Sequence, residues 1–255
     1  MSHAEAIERY WRPDAGRSYQ EVFDQFPRTS DAYNDPGQPL VVACIDEGMP
    51  RGKNVAFIAG SGVLEEPSVI DPVLGANNID GMTSHAGCGA AALAAQGAGF
   101  PGNPDEFGDR FSQEKAHALG VPYDGRITPT DMTRPPDFHV ADTFYLDGTG
   151  QGFNPNLVNG APVGFVHSRG IFGDPEMGQR QVALGINIAM GAHGFGDRFT
   201  SEHPFNVVVI TDSRPGSVPL DTLLTEARTV ASGNPRVRVH SVTLKERPRP
   251  QSRPV

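Results

Sequence analysis

The chain has two cysteines, each beside residues that bind metals, and together they dictate which parts of the fold must meet. Cys44 lies near the end of the apolar run Leu40-Val41-Val42-Ala43-Cys44-Ile45 and is followed by Asp46. Cys88 closes His85-Ala86-Gly87-Cys88-Gly89 and opens an alanine-rich stretch to Gln96. A short apolar run bounded by turns reads as a buried parallel strand, and the alanine-rich stretch as a helix. One ligand pair therefore hangs from the carboxyl end of a strand and the other from a helix entrance, where open α/β sheets bind ligands. Two thiolates and an imidazole form the Cys2His set of a catalytic zinc, with the fourth position open. The helix dipole favours a thiolate at Cys88, and Gly87 and Gly89 permit a tight turn there.

The rest of the chain supplies a frame for such a site. Residues 4–26 have helical spacing at Ile7, Tyr10, Trp11, Tyr19, Val22, Phe23 and Phe26, divided by Pro13 and Gly16 into two short helices. Residues 30–39 read as a polar, turn-rich linker. Strands are expected at 40–45, 54–59, 78–84, 138–146, 206–211 and 237–244, and helices at 88–96, 112–119, 176–192 and 219–232. Strands alternating with helices give an α/β class with a mostly parallel sheet flanked by helices, N-terminal helices and a C-terminal α/β extension. The expected organisation is one zinc domain over 1–246 with a proline-rich, disordered tail at 247–255.

One hexapeptide nearly repeats: Phe107-Gly108-Asp109-Arg110-Phe111-Ser112 returns as Phe195-Gly196-Asp197-Arg198-Phe199-Thr200. It is read as chance or a shared helix-exit turn, with an old βα duplication as the alternative.

A net charge of −9 over 255 residues leaves no electrostatic footprint for nucleic acid or an anionic membrane. The start, Met1-Ser2-His3-Ala4-Glu5, lacks a basic segment followed by an apolar one, and no apolar run approaches a membrane span. A cytoplasmic protein acting on a small molecule is expected.

Cys44-x-Asp46 after a strand, followed about forty residues later by His85-x-x-Cys88-Gly89 before a helix, resembles the β-class carbonic anhydrases. Gln38-Pro39 resembles that family's Gln-x-Pro lead-in, Val55–Val63 its second strand and turn, and 144–150 a late strand and turn. The resemblance covers 38–150, leaving 155–246 as additional βαβ elements. It implies zinc held by Cys44, His85 and Cys88, with a zinc-bound hydroxide hydrating carbon dioxide to bicarbonate. It makes Asp46 the catalytic carboxylate, Gln38 and Gly89 substrate-binding positions, and the protein a homodimer or larger with its site near the subunit interface.

The family's arginine two residues after the aspartate, which holds that carboxylate off the metal, is Gly48 here. Arg51, Arg110 or Arg198 is the expected substitute; otherwise Asp46 becomes a fourth ligand. The alternatives are hydrolysis of carbonyl sulfide or carbon disulfide, and a non-catalytic zinc protein closed by Asp46. Glu47 is read as solvated, and His167 and His193 as ordinary element-end histidines rather than proton shuttles.

Overall fold

The apolar runs form strands because their side chains have sheet or helix on both faces. In the computed structural model, which describes residues 2–10, 18–25, 31–50 and 52–245, two helices come first, α1 (His3–Tyr10) and α2 (Tyr19–Gln25). Then follow β1 (Leu40–Ala43), β2 (Val55–Phe57), a 3-10 turn at Ala59–Gly62, α3 (Pro67–Ala76), β3 (Ile79–His85), α4 (Gly89–Gly97), α5 (Pro104–Leu119) and β4 (Tyr123–Ile127). These four strands make one parallel sheet in the order β2-β1-β3-β4.

The second half continues with β5 (Thr143–Asp147), β6 (Gly164–His167), α6 (Arg169–Phe172), α7 (Pro175–Met190), β7 (Phe205–Asp212), α8 (Leu220–Ala231) and β8 (Val237–Leu244). Its sheet is also parallel, in the order β6-β5-β7-β8. The expected α/β class with parallel strands holds, as two sheets. β5, which lies inside the stretch resembling carbonic anhydrases, is a central strand of the second sheet, paired to β6 and β7 from the following hundred residues.

One large apolar cluster runs from Ala43, Cys44 and Phe57 to Phe144, Val208 and Val242, linking the first sheet to the second. A smaller one packs α3 and α5 over Val42 and Met82, with Ile70, Leu74 and Ala116. Edge strand β8 is covered by α2, where the Gln20 side chain bonds both the N–H and the carbonyl of Thr243. Gly185 of α7 lets that helix close on the second sheet, since a Cβ there would lie 2.2 Å from the ring of fully buried Phe144. Gly185→Ala should therefore destabilise the fold by about 1–3 kcal/mol, the usual cost of overpacking, as read by denaturant unfolding.

Helix α5 starts earlier than the expected 112–119. Asn103 caps it by accepting from the Asp105 N–H, and Pro104 takes the first helical position. Four elements had no counterpart in the sequence reading, the one-turn helix α6 among them. Helix α3 carries Pro72 in its interior, β4 contains an Asp124-Gly125 pair that reads as a turn, and β6 has only four residues. The repeated hexapeptide takes two different forms: its first copy lies within α5, not at a helix exit, and its second makes the 3-10 turn Gly196–Arg198. The copies also fall in non-equivalent connections, β3 to β4 and β6 to β7, so the hexapeptide marks no duplication. Trp11, Pro13, Gly16, Phe26 and the tail from residue 247 lie outside the described residues. No described helix is long and apolar enough to cross a membrane.

Candidate metal centre

β1 delivers Cys44 just past its last residue, β3 ends on His85, and Cys88 is the N-cap of α4. Because β1 and β3 are adjacent and parallel, their carboxyl ends lie side by side. Gly87 takes the left-handed conformation (φ 69°) that turns the chain from β3 into α4. The two sulfurs are 4.0 Å apart, and one donor atom from each of Cys44, His85 and Cys88 lies within 4.8 Å of the others. All three residues are buried.

Their hydrogen bonding leaves room for a cation. The His85 Nδ1 faces the Ala86 carbonyl at 3.0 Å, so the proton belongs on Nδ1. Its Nε2 is buried and has no hydrogen-bond partner. A buried orphan nitrogen is costly unless something binds it, and a metal beside two sulfurs meets that need. The Gly60 N–H donates to the Cys44 sulfur at 3.1 Å, stabilising a thiolate.

The hydrogen bond from Cys44 and the N–H groups of Ala91 and Ala90 pull the Cys88 thiol down. Donation to Cys88 and burial push the Cys44 thiol well up. Burial lowers the His85 imidazole, but its interactions with the Cys44 sulfur and the Asp46 carboxylate outweigh it and bring it up to about 9. Metal must therefore displace at least one proton from the His85 and Cys44 pair. Apparent zinc affinity should rise at least about tenfold per pH unit between pH 6 and 8, as measured by competition with a chromophoric chelator.

The partner of Asp46 is Arg134, from the connection between β4 and β5. Its Nε donates to Asp46 Oδ1 at 2.8 Å and its Nη2 to Oδ2 at 2.7 Å, a two-pronged pair with both side chains buried. The Gly48 N–H adds a third bond to Oδ1 at 2.7 Å. Burial alone would raise the Asp46 carboxyl; the Arg134 bonds, with the nearby His85 and His139, hold it below the usual range. Arg134 is fixed in turn by donating Nη1 to the Pro135 carbonyl at 2.7 Å.

Glycine at 48 is what admits this arginine. A Cβ at that position would lie 2.4 Å from Arg134 Cγ and 2.9 Å from Asp46 Oδ1. The guanidinium reaches Asp46 from 88 residues away and occupies the space of the missing neighbour.

The expected substitutes do not fill this role. Arg110 is exposed on α5 with its guanidinium over the Phe100 ring, Arg198 is exposed on a 3-10 turn, and Arg51 lies outside the described residues. Glu47 is buried rather than solvated: one oxygen accepts from the Val140 N–H at 2.6 Å and the other meets His139 Nδ1 at 3.0 Å. His139 Nδ1 also lies 3.8 Å from Asp46 Oδ2.

Gln38 sits exposed before the amino end of β1, the opposite end from Cys44, so the fold does not bring it to the cluster. Gly89 opens α4 beside Cys88, with open space around it. His167 is wholly buried, stacked on Phe172, and burial brings it down to about 3, so it stays neutral. His193 is exposed, and its carbonyl holds the His139 N–H.

Comparison with protein-family models, curated proteins and solved structures finds no match to this chain.

Proposed function

We propose that the protein is a zinc lyase that hydrates carbon dioxide reversibly to bicarbonate, as its resemblance to β-class carbonic anhydrases suggests. The observation that carries this reading is the pairing of Asp46 with Arg134 beside a Cys44-His85-Cys88 set whose imidazole Nε2 is unpartnered. Zinc, when bound, supplies a Lewis acid that lowers the pKa of water toward neutrality.

The chain's own residues do the rest. Cys44, His85 and Cys88 would hold the metal through three donors, one short of the four that zinc takes. Asp46 has both oxygens committed to Arg134, which opposes its becoming that fourth ligand and speaks against a closed, non-catalytic site. Its carboxylate, ionised throughout the neutral range, would accept a hydrogen bond from the attacking water and so orient it. Cys44 and Cys88 share their apolar cluster with Ala59, Ala90, Phe138 and Phe165. Such surroundings strengthen charge interactions inside the site and suit a small uncharged substrate.

Stopped-flow hydration assays on parent and Asp46→Asn protein test this. The substitution should lower kcat about 10²–10⁴-fold while zinc stays bound. Equal rates in the two proteins would overturn the role of Asp46. A zinc-loaded parent inert toward carbon dioxide but active on carbonyl sulfide or carbon disulfide would shift the substrate to the sulfur analogues.

A further inference from the structure

The two sheets repeat one another. Strands of the first run β2-β1-β3-β4 and those of the second β6-β5-β7-β8, which is the same order four strands later, all parallel. The sheets meet at corresponding edges, β2 against β6. There the Phe57 N–H donates to Ser168 Oγ and the Ser168 N–H to the Phe57 carbonyl, both at 3.0 Å. From β4 through β2 and β6 to β8, the series reads the same from either end.

We propose that the chain is a fused pair of one four-strand unit, in which the second copy holds no metal and instead buttresses the site of the first. One chain then binds one metal and completes its site without a second chain. The metal count rests on the metal reading above; the paired architecture does not.

Strand order alone is a weak warrant, since many α/β sheets share it. Register makes the comparison specific. Ala43 pairs with the last residue of β2, Phe57, and Leu146 with the last residue of β6, His167. The next residue is the ligand Cys44 in the first unit and Asp147 in the second. One step earlier, Val42 pairs with Met82 and Tyr145 with Val208. Three residues on from these partners stand His85 and Thr211. The second unit thus carries an aspartate and a threonine where the first has a thiolate and an imidazole.

Those replacements are fully engaged. Asp147 Oδ1 accepts from the Thr149 N–H at 3.0 Å and its hydroxyl at 2.7 Å, and Oδ2 from the Phe153 N–H at 2.7 Å. The Thr211 hydroxyl donates to the Val218 carbonyl at 2.7 Å. Hydrogen bonds close in the second unit what a metal would close in the first.

The second unit also reaches into the first unit's site. Gln181 on α7 accepts from the Ala59 N–H at 2.8 Å, and the next residue, Gly60, donates to the Cys44 sulfur at 3.1 Å. Phe165 on β6 packs edge-on against His139, with ring centres 5.2 Å apart, beside Glu47 and Asp46. The neighbour that a dimer would supply is here supplied by the same chain.

Native mass spectrometry of the reduced full chain, purified with zinc, reads mass and metal together. The expected species is a single chain with one zinc, unchanged on dilution. A metal-free single chain would sink the metal reading while supporting the pair. Two zincs per chain, or a dimer that loses zinc as it dissociates, would overturn the proposal.

A second measurement uses Gln181→Ala. Zinc release to a competing chelator should quicken about tenfold, as when the outer support of a ligand is removed, and the thiolate-to-metal absorption of the cobalt form should shift. A parental release rate and cobalt spectrum would show that the second unit does not support the site.

Discussion

Arg134→Ala is expected to destabilise the protein by about 3–5 kcal/mol and to remove most of the proposed hydration activity, even though Arg134 is no metal ligand. The substitution leaves Asp46 buried and charged without its two-pronged partner, and an uncompensated buried charge is among the costliest defects in a fold. Asp46 can then relieve its charge on the metal, closing the position a substrate needs. Denaturant unfolding and stopped-flow assays separate the two effects.

The crowding at Gly48 makes the prediction sharper. Gly48→Arg in the parent puts a Cβ 2.4 Å from Arg134 Cγ and should be harmful. In the Arg134→Ala background the same substitution has the vacated space, restores a guanidinium beside Asp46 and should recover stability and activity. The two changes should therefore depart from additivity by about 1–3 kcal/mol, in the direction of rescue. Additive damage would mean that the glycine and the distant arginine are not a compensating pair.

Cys88→Ala is expected to abolish zinc binding. The site has three protein donors, and two cannot hold zinc against a chelator. Because a bound metal stabilises only the folded state, parent protein with zinc at about a thousand times its Kd should gain about 4 kcal/mol, lost on adding chelator. The Cys88→Ala protein should unfold at the same temperature with or without zinc. The substitution itself is small in volume and should leave the second sheet intact, which circular dichroism can check.

The Cys44-His85-Cys88 cluster was legible in the sequence because its signals are local. A strand end, a helix start and the cysteine and histidine spacing sit within short windows, and the parallel pairing of β1 with β3 brings them together. The partner of Asp46 was hidden because Arg134 lies 88 residues away in a Pro-rich connection with no periodicity of its own. The one hint was negative: a glycine where the resemblance calls for arginine marks space that another group fills. Glu47 misled for the opposite reason, since a carboxylate after a strand is usually solvated, and here the Val140 N–H and His139 bury it. Strand β8 matched its expected limits because Val237, Val239, Val242, Thr243 and Leu244 keep it rich in β-branched and apolar residues, whereas β4 was concealed by a glycine at φ 97° that reads as a turn. The doubling of the fold left no trace in the repeated hexapeptide; it resides in strand order and register, which composition does not record.

The most direct test of the metal centre is elemental analysis of reduced, chelator-washed protein reloaded with zinc, beside the Cys88→Ala protein treated identically. The site described here predicts about one zinc per parent chain and none in the variant. Parent protein that retains no zinc, or a variant that retains as much as the parent, would contradict it.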